Sequence, residues 1–83
     1  MNYRPFIYHI KPLIEALPLW GIKHELIVMT YGRTYLKVIY PTGRTVYVDN
    51  DSIGFYIDDI DHRLKHRYAS MDILKYRVLT GDF

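Results

Sequence analysis

Two histidines four residues apart, His62 and His66, come nearest to the spacing of a metal site. On a helix this spacing places both imidazoles on one face, where they could bind zinc. The zinc metalloprotease motif requires glutamate directly after the first histidine, and Arg63 stands there instead. The basic side chains around the pair would also repel a cation. We therefore expect neither a metal site nor a cofactor.

A second candidate, Asp49-x-Asp51, lies between a predicted strand and a predicted helix. It begins like the calcium loop of an EF-hand, but the twelfth position, which requires a bidentate glutamate, is Ile60. Asp, Asn and Ser residues in such a run commonly form turns and cap helices. The motif therefore predicts a turn and a helix cap, and not a cation site.

Residues able to carry out catalysis are scarce in the sequence. Cysteine is absent, and the two serines, Ser52 and Ser70, stand at expected helix-cap positions. No nucleophile elbow and no glycine-rich phosphate loop can be found. The carboxylates of Asp58 and Asp61 could share a pocket, although exposed helix carboxylates are more common. We expect that the protein is not an enzyme.

The basic run over residues 62–67 is the best indication of nucleic-acid binding. Each phosphate contact would add a salt-dependent increment to affinity. The candidate phosphate-binding residues are Arg63, Lys65, His66 and Arg67. Acidic residues lie directly upstream, the net charge is only +2, and a helix dipole alone favours acids first and bases last. A small nucleic-acid-binding regulator is therefore the alternative hypothesis.

Nine tyrosines in 83 residues exceed what a core of this size can bury. Tyrosine and arginine dominate protein–protein hot spots, although β-propensity alone explains tyrosines within strands. The predicted partner-binding residues are Tyr31 and Arg33 at a turn tip, with Tyr35 and Tyr47 on strands. The favoured hypothesis is a small non-enzymatic protein that binds a protein partner and modulates or inhibits it stoichiometrically. Phages and mobile elements use small proteins in this way against host machinery.

The stretch over residues 24–48 is the framework that must position these side chains. It predicts a three-stranded antiparallel meander, because runs of β-branched and aromatic residues alternate with tight turns at 31–33 and 41–43. Three-residue loops would pair Leu36 with both Val28 and Val48. One sheet face is then aliphatic: Leu26, Val28, Leu36, Val38, Val46 and Val48. The opposite face is mixed and requires a cover.

Helices are predicted on both sides of the meander. A short N-terminal helix should have Pro12 in its first turn, and Trp20 should then anchor the chain against the sheet. Between Ile53 and Thr80, apolar residues recur in steps of three and four. They predict a C-terminal helix packed on the aliphatic face, either long or broken with Ser70 as a cap, and closed by Gly81.

Composition indicates a single small globular domain over residues 1–83 with an α+β fold. The absence of cysteine suits a reducing compartment, and no apolar run approaches a membrane span. We therefore expect a cytoplasmic protein without a membrane partner. An additional apolar row on the predicted helix, Ile73, Tyr76 and Leu79, raises the hypothesis of a homodimer.

Overall fold

The structure, a computed structural model, describes residues 6–30, 33–51 and 53–83. Its helices are α1 (Phe6–Ala16) and α2 (Met71–Thr80), and its strands are β1 (Lys23–Val28), β2 (Thr34–Ile39), β3 (Thr45–Asn50), β4 (Phe55–Asp59) and β5 (Leu64–Arg67). The strands form one antiparallel sheet in the order β1 to β5, so each pairs with its neighbours in sequence. The fold is of the α+β class.

The sheet has five strands, and the predicted three-stranded meander is therefore wrong. Strands β4 and β5 occupy the stretch that the apolar spacing assigned to the first half of the C-terminal helix. The inward residues of the supposed helix are not all buried: Ile57 is, whereas Ile53 is 78% exposed and Ile60 is 54% exposed. The helical spacing in this stretch is coincidental, and pairing with β3 determines its structure.

The second half of the predicted C-terminal helix does form, as α2. The backbone N–H of Ile73 donates to Oγ of Ser70 at 3.3 Å, so Ser70 is the N-cap. The helix closes at Gly81, whose φ of 71° is in the left-handed region that favours glycine. The predicted cap at Ser70 and the predicted end at Gly81 are both found, but strand β5 and not a helix precedes Ser70, so α2 is a separate short helix and not the second half of a broken one. Neither of the two described helices is long and apolar enough to cross a membrane.

Strands β2 and β3 pair in the predicted register, with Leu36 opposite Val48. Strand β1 is shifted by two residues from its predicted position, because Leu26 and not Val28 lies opposite Leu36. The connection runs over residues 29–33 and is longer than the predicted three-residue loop. An even shift keeps every side chain on its predicted face. It also moves Val28 beyond the cover of the helices, and Val28 is 66% exposed.

The hydrophobic core lies between the two helices and one face of the sheet, called here the core face. It comprises Phe6, Ile10, Leu13, Leu17, Ile22, Leu36, Val38, Val46, Val48, Ile57, Leu74, Val78 and Leu79. Four of these residues belong to the predicted aliphatic face, and the buried residues of α2 pack among them. The core face is therefore built on the predicted side of β2 and β3.

The N-terminal helix differs from its prediction in extent. Helix α1 spans Phe6–Ala16 and carries Pro12 in its interior, although proline there removes one backbone hydrogen bond. Its buried residues are Phe6, Ile10 and Leu13. Burial of this stripe stabilises the helix despite the proline. Trp20, the predicted anchor, is 56% exposed, and Leu17 is buried in its place.

Candidate functional site

The sheet face turned away from the helices, called here the outer face, carries two rows of cross-strand neighbours. Continuing the strand registers, the first row consists of Ile27, Tyr35, Asp49, Tyr56 and Arg67. The second row consists of Glu25, Lys37, Tyr47, Asp58 and Lys65. Because both described helices pack on the core face, neither covers these rows.

A pocket of about 260 Å³ opens between the two rows. It is lined by Tyr35, Tyr47, Asp49, Asp58 and Ile60. The two tyrosine rings meet edge to face with their centroids 5.5 Å apart, and they form an aromatic wall. The two carboxylates come from the adjacent strands β3 and β4. We refer to this site as the tyrosine–aspartate pocket.

The two carboxylates of the pocket differ in their partners. Asp49 accepts hydrogen bonds from Nη2 of Arg33 at 2.6 Å and from the hydroxyl of Tyr56 at 3.4 Å. Asp58 is half-buried, and its side chain has no hydrogen bond or ion pair with any described residue. Lys65 is its cross-strand neighbour, but the Lys65 ammonium lies over the Tyr56 ring, 4.9 Å from the centroid. Asp58 is therefore uncompensated among the residues that the structure describes.

Beside the pocket, Arg67 at the β5 end of the outer face is paired within the molecule. Arg67 pairs with both carboxylate oxygens of Asp51, with Nη1 to Oδ1 at 2.9 Å. The Arg67 hydrogen bond holds the pKa of Asp51 well below its usual range. The guanidinium also lies 5.1 Å from the centroid of the Tyr56 ring. Tyr56 is buried beneath Lys65 and Arg67, and this burial raises the pKa of its hydroxyl.

Three of the four predicted partner-binding residues gather at the tyrosine–aspartate pocket. Tyr35 and Tyr47 form its wall, and Arg33 binds a carboxylate that lines it. Tyr31 lies outside the described residues. The grouping of the two wall tyrosines could be predicted from the sequence, because strand alternation places both on the same face.

The sequence does not predict that the carboxylates of Asp49 and Asp58 come together. Asp49 is not in the predicted turn but in β3, where it continues the outward alternation of Thr45 and Tyr47. That alternation is the signal that could have placed it. Asp58 was assigned to a helix and belongs instead to β4, a strand for which the sequence showed no clear alternation. Asp51 does form the predicted turn, since it accepts from the backbone N–H of Ile53 at 2.9 Å, but no helix follows.

The basic run over 62–67 is not a helical surface, and the predicted nucleic-acid residues do not share a face. Arg63 ends a short 3₁₀ turn with φ of 55°. Lys65 and Arg67 lie on the outer face, whereas His66 pairs with the buried Ile57 and lies on the core face. Alternation along β5 therefore places His66 on the face opposite to Lys65 and Arg67.

A buried ion pair lies on the core face at the end of β4. Asp59 is only 1% exposed, and its Oδ2 accepts from Nη2 of Arg44 at 2.8 Å. Nδ1 of His62 lies 2.9 Å from the same oxygen. Burial raises the pKa of Asp59, but the hydrogen bonds from Arg44 and His62 outweigh this effect, and the pKa lies below its ordinary value. The group joins the segment before β3 to the end of β4.

The two histidines of the zinc-like spacing have separate surroundings. His62 contacts Asp59, and the ring of His66 meets that of Phe83 with centroids 5.6 Å apart. No group of three or more histidine, aspartate or glutamate side chains is placed to hold a metal ion in the part of the chain that the structure describes.

The apolar row that raised the hypothesis of a homodimer is divided in the structure. Ile73 and Tyr76 are exposed on α2, whereas Leu79 is buried in the core. Homodimerisation stays a prediction. Sedimentation equilibrium over a hundredfold concentration range would check it, since a mass of 10.0 kDa throughout would contradict it.

Comparisons of the chain with protein-family models, with curated proteins and with solved structures find no match. The chemistry of the pocket therefore carries the functional argument. An aromatic wall beside an uncompensated carboxylate can bind a complementary group through stacking, ion pairing and hydrogen bonds. The described side chains that line the pocket are two tyrosines, two aspartates and one isoleucine, so its polar groups are hydroxyls and carboxylates.

Proposed function

We propose that the protein is a small non-enzymatic binding protein that docks a protein partner on its outer face. It modulates or inhibits that partner stoichiometrically, by occupying the partner's surface. One observation carries the proposal: a pocket walled by Tyr35 and Tyr47 lies on a sheet face that neither described helix covers. Tyrosines held by a paired sheet are already ordered, so binding would cost little additional conformational entropy.

The distribution of charge favours a protein partner over nucleic acid. Along the second row, Glu25, Lys37, Tyr47, Asp58 and Lys65 alternate acid, base, tyrosine, acid and base. Binding to a phosphate backbone requires a positively charged groove or patch, and carboxylates within it weaken the field. A surface of mixed charge can instead match a protein surface of complementary pattern.

The cations and aromatic rings of the outer face are also partly engaged. Arg33 and Arg67 are paired with Asp49 and Asp51. Tyr56, which could otherwise stack on a base, is buried beneath Lys65 and Arg67. Nucleic-acid binding stays the alternative, because Lys65 and Arg67 do share a face with Tyr35 and Tyr47.

We also propose that the protein is cytoplasmic. A chain without cysteine suits a reducing compartment, where thiols and disulfides contribute nothing to its stability. The partner can therefore be sought by cross-linking inside the cell.

Site-specific photo-cross-linking tests the proposal. A benzophenone amino acid would be placed at Tyr47 on the outer face and, as a matched control, at Tyr76, which is 63% exposed on α2. We expect one discrete protein adduct in cells from position 47 and none from position 76. With the purified partner, Tyr35→Ala and Tyr47→Ala should each weaken binding by more than about 2 kcal/mol, or about thirtyfold, while Tyr76→Ala changes it less than twofold.

Titration of the protein with fluorescent DNA and RNA at low and moderate salt tests the alternative, nucleic-acid binding. Tight binding that persists at moderate salt, is lost in Lys65→Ala with Arg67→Ala, and is unaffected by Tyr47→Ala would overturn the proposal. Binding through phosphate contacts would also lose about one unit of its salt slope for each basic residue removed.

A further inference from the structure

The tyrosine–aspartate pocket has the chemistry of a cation site, and we infer that it receives the charged end of a lysine or arginine side chain of the partner. The inference rests on the proposed function and names what the outer face recognises. It follows from three properties of the pocket: its aromatic wall, the uncompensated Asp58 and its size.

The aromatic wall supplies the first part of the recognition. The faces of tyrosine rings carry negative electrostatic potential and attract ammonium and guanidinium groups within about 6 Å. Tyr35 and Tyr47 meet edge to face, so their ring planes differ by 65° and bound the pocket from two directions. Such a wall also packs against the methylene stem of a long basic side chain.

The carboxylates supply the second part. Asp49 is already paired with Arg33, whereas Asp58 has no ion pair with any described residue. An anion entering the pocket would be repelled by both groups. A neutral apolar group would remove water from Asp58 without replacing its hydrogen bonds, which is costly for a charged group. A cation satisfies Asp58 and contacts the rings at the same time.

The size of the pocket fits one side chain. Its volume of about 260 Å³ is below the roughly 300–1,000 Å³ that is typical of small-molecule sites. The exposed Ile60 lies at the pocket and can contact the apolar residues beside the incoming cation. The geometry is therefore that of a single anchor within a broader protein interface.

Lys65 is a cation that could compete for Asp58 from the neighbouring strand, since the two residues are directly paired. Its ammonium is instead over the Tyr56 ring, 4.9 Å from the centroid. In this position Lys65 forms no ion pair with Asp58.

Titration with small probes, followed by amide NMR spectra of the full chain, tests the inference. The probes are n-butylammonium and ethylguanidinium as the two cations, with n-butanol as the neutral control. We expect both cations, and not butanol, to shift the amide resonances of Tyr47 and Asp58. The stronger of the two cations identifies whether lysine or arginine is preferred.

Two variants make the test specific. Asp58→Asn should weaken binding of the preferred cation at least fivefold, whereas Glu25→Gln, on the same row but away from the pocket, should leave it unchanged. Unchanged amide dispersion in both variants shows that the fold is retained. Equal shifts with butanol, or equal effects of the two substitutions, would overturn the inference.

The outcomes separate the inference from the proposed function. A protein adduct at position 47 without any cation-specific shift would overturn the inference and leave the proposed function standing. Cation binding without a protein adduct would overturn the proposed function and, with it, the assignment of the cation to a partner's side chain.

Discussion

Two neighbouring carboxylates, one on the core face of the sheet and one on the outer face, differ in burial and in ion pairing. Asp59, on the core face, is buried and bound by Arg44 and His62. Asp58, one residue earlier on the same strand, is turned to the outer face and has no ion pair with any described residue. Because side chains alternate along a strand, one residue of difference separates the buried Asp59 from Asp58, for which we propose a binding role.

The largest expected effect comes from the core face. Leu36→Ala removes a fully buried side chain and should lower the free energy of unfolding by roughly 2–5 kcal/mol, through lost burial and a cavity. Ile60→Ala, which the helical interpretation placed in the core, should cost no more than about 0.5 kcal/mol, because Ile60 is exposed. Urea unfolding of both variants measures the difference, and equal losses would contradict the assignment of the two faces.

The next effect compares the two aspartates. Asp59→Asn should destabilise the protein by about 1–3 kcal/mol at pH 7, because it weakens buried hydrogen bonds to a charged group. Asp58→Asn should leave stability nearly unchanged. Urea unfolding at pH 7 distinguishes them. A loss in Asp58→Asn as large as in Asp59→Asn would mean that the outer carboxylate is structural too.

Lowering the pH should remove the contribution of Asp59 to stability. The pKa of Asp59 is lower in the folded protein than its ordinary value, which is about 3.9 in an unfolded chain. The unfolded state therefore takes up protons first as the pH falls, and the contribution of Asp59, fully present above about pH 4, is lost below it. Asp59→Asn should lose less stability than wild type between pH 7 and pH 3. The remaining loss includes Asp51, whose pKa Arg67 also lowers. Parallel curves for the two proteins would contradict the assignment.

A smaller effect is expected at Tyr40, whose hydroxyl donates to the carbonyl oxygen of Val78 at 2.6 Å and joins the sheet to α2. Tyr40→Phe should cost about 0.5–1.5 kcal/mol, whereas Tyr47→Phe on the outer face should cost almost nothing. Burial raises the pKa of Tyr40 to about 12, so its contribution holds below about pH 10 and is lost as the pH rises towards 12. Unfolding at pH 7 and an absorbance titration of tyrosinate check both points; a normal titration of all tyrosines would contradict the second.

The smallest effect is expected on the outer face itself. Arg33→Ala removes an exposed ion pair with Asp49 and should cost only about 0.2–1 kcal/mol, with less effect in about 1 M salt. Urea midpoints at low and high salt measure it. A loss above about 2 kcal/mol would show that this face contributes to folding, and would remove the distinction between the two faces.

The sequence was most informative where local chemistry decides structure. The turn over 41–43 and the alternating β-branched residues on each side predicted the β2–β3 register correctly. The hydroxyl of Ser70 and the glycine at position 81 likewise determine the ends of α2 through contacts within a few residues. These features depend on neighbours that can be read directly from the chain.

Long-range pairing explains what could not be predicted. Strand β4 carries Asp59 at a buried position, where a strand pattern requires an apolar residue. The distant Arg44, together with the nearby His62, makes that carboxylate acceptable in the core, and the pairing with Arg44 is visible only in the folded chain. Only part of the pocket could be predicted, for the same reason. Alternation grouped Tyr35 with Tyr47, but the position of Asp58 depends on a strand that the local sequence pattern did not reveal.

The order of strands has a consequence for how the chain reaches its structure. Every strand pairing joins neighbours in sequence, so the sheet can grow one hairpin at a time, and each step closes only a short loop at little entropic cost. Contacts between α1 and α2, by contrast, bring together segments from opposite ends of the described chain. We therefore expect fast folding in which strand pairing precedes docking of α1 onto α2, and in which a chain still emerging from the ribosome can build β1 to β3 before α2 exists.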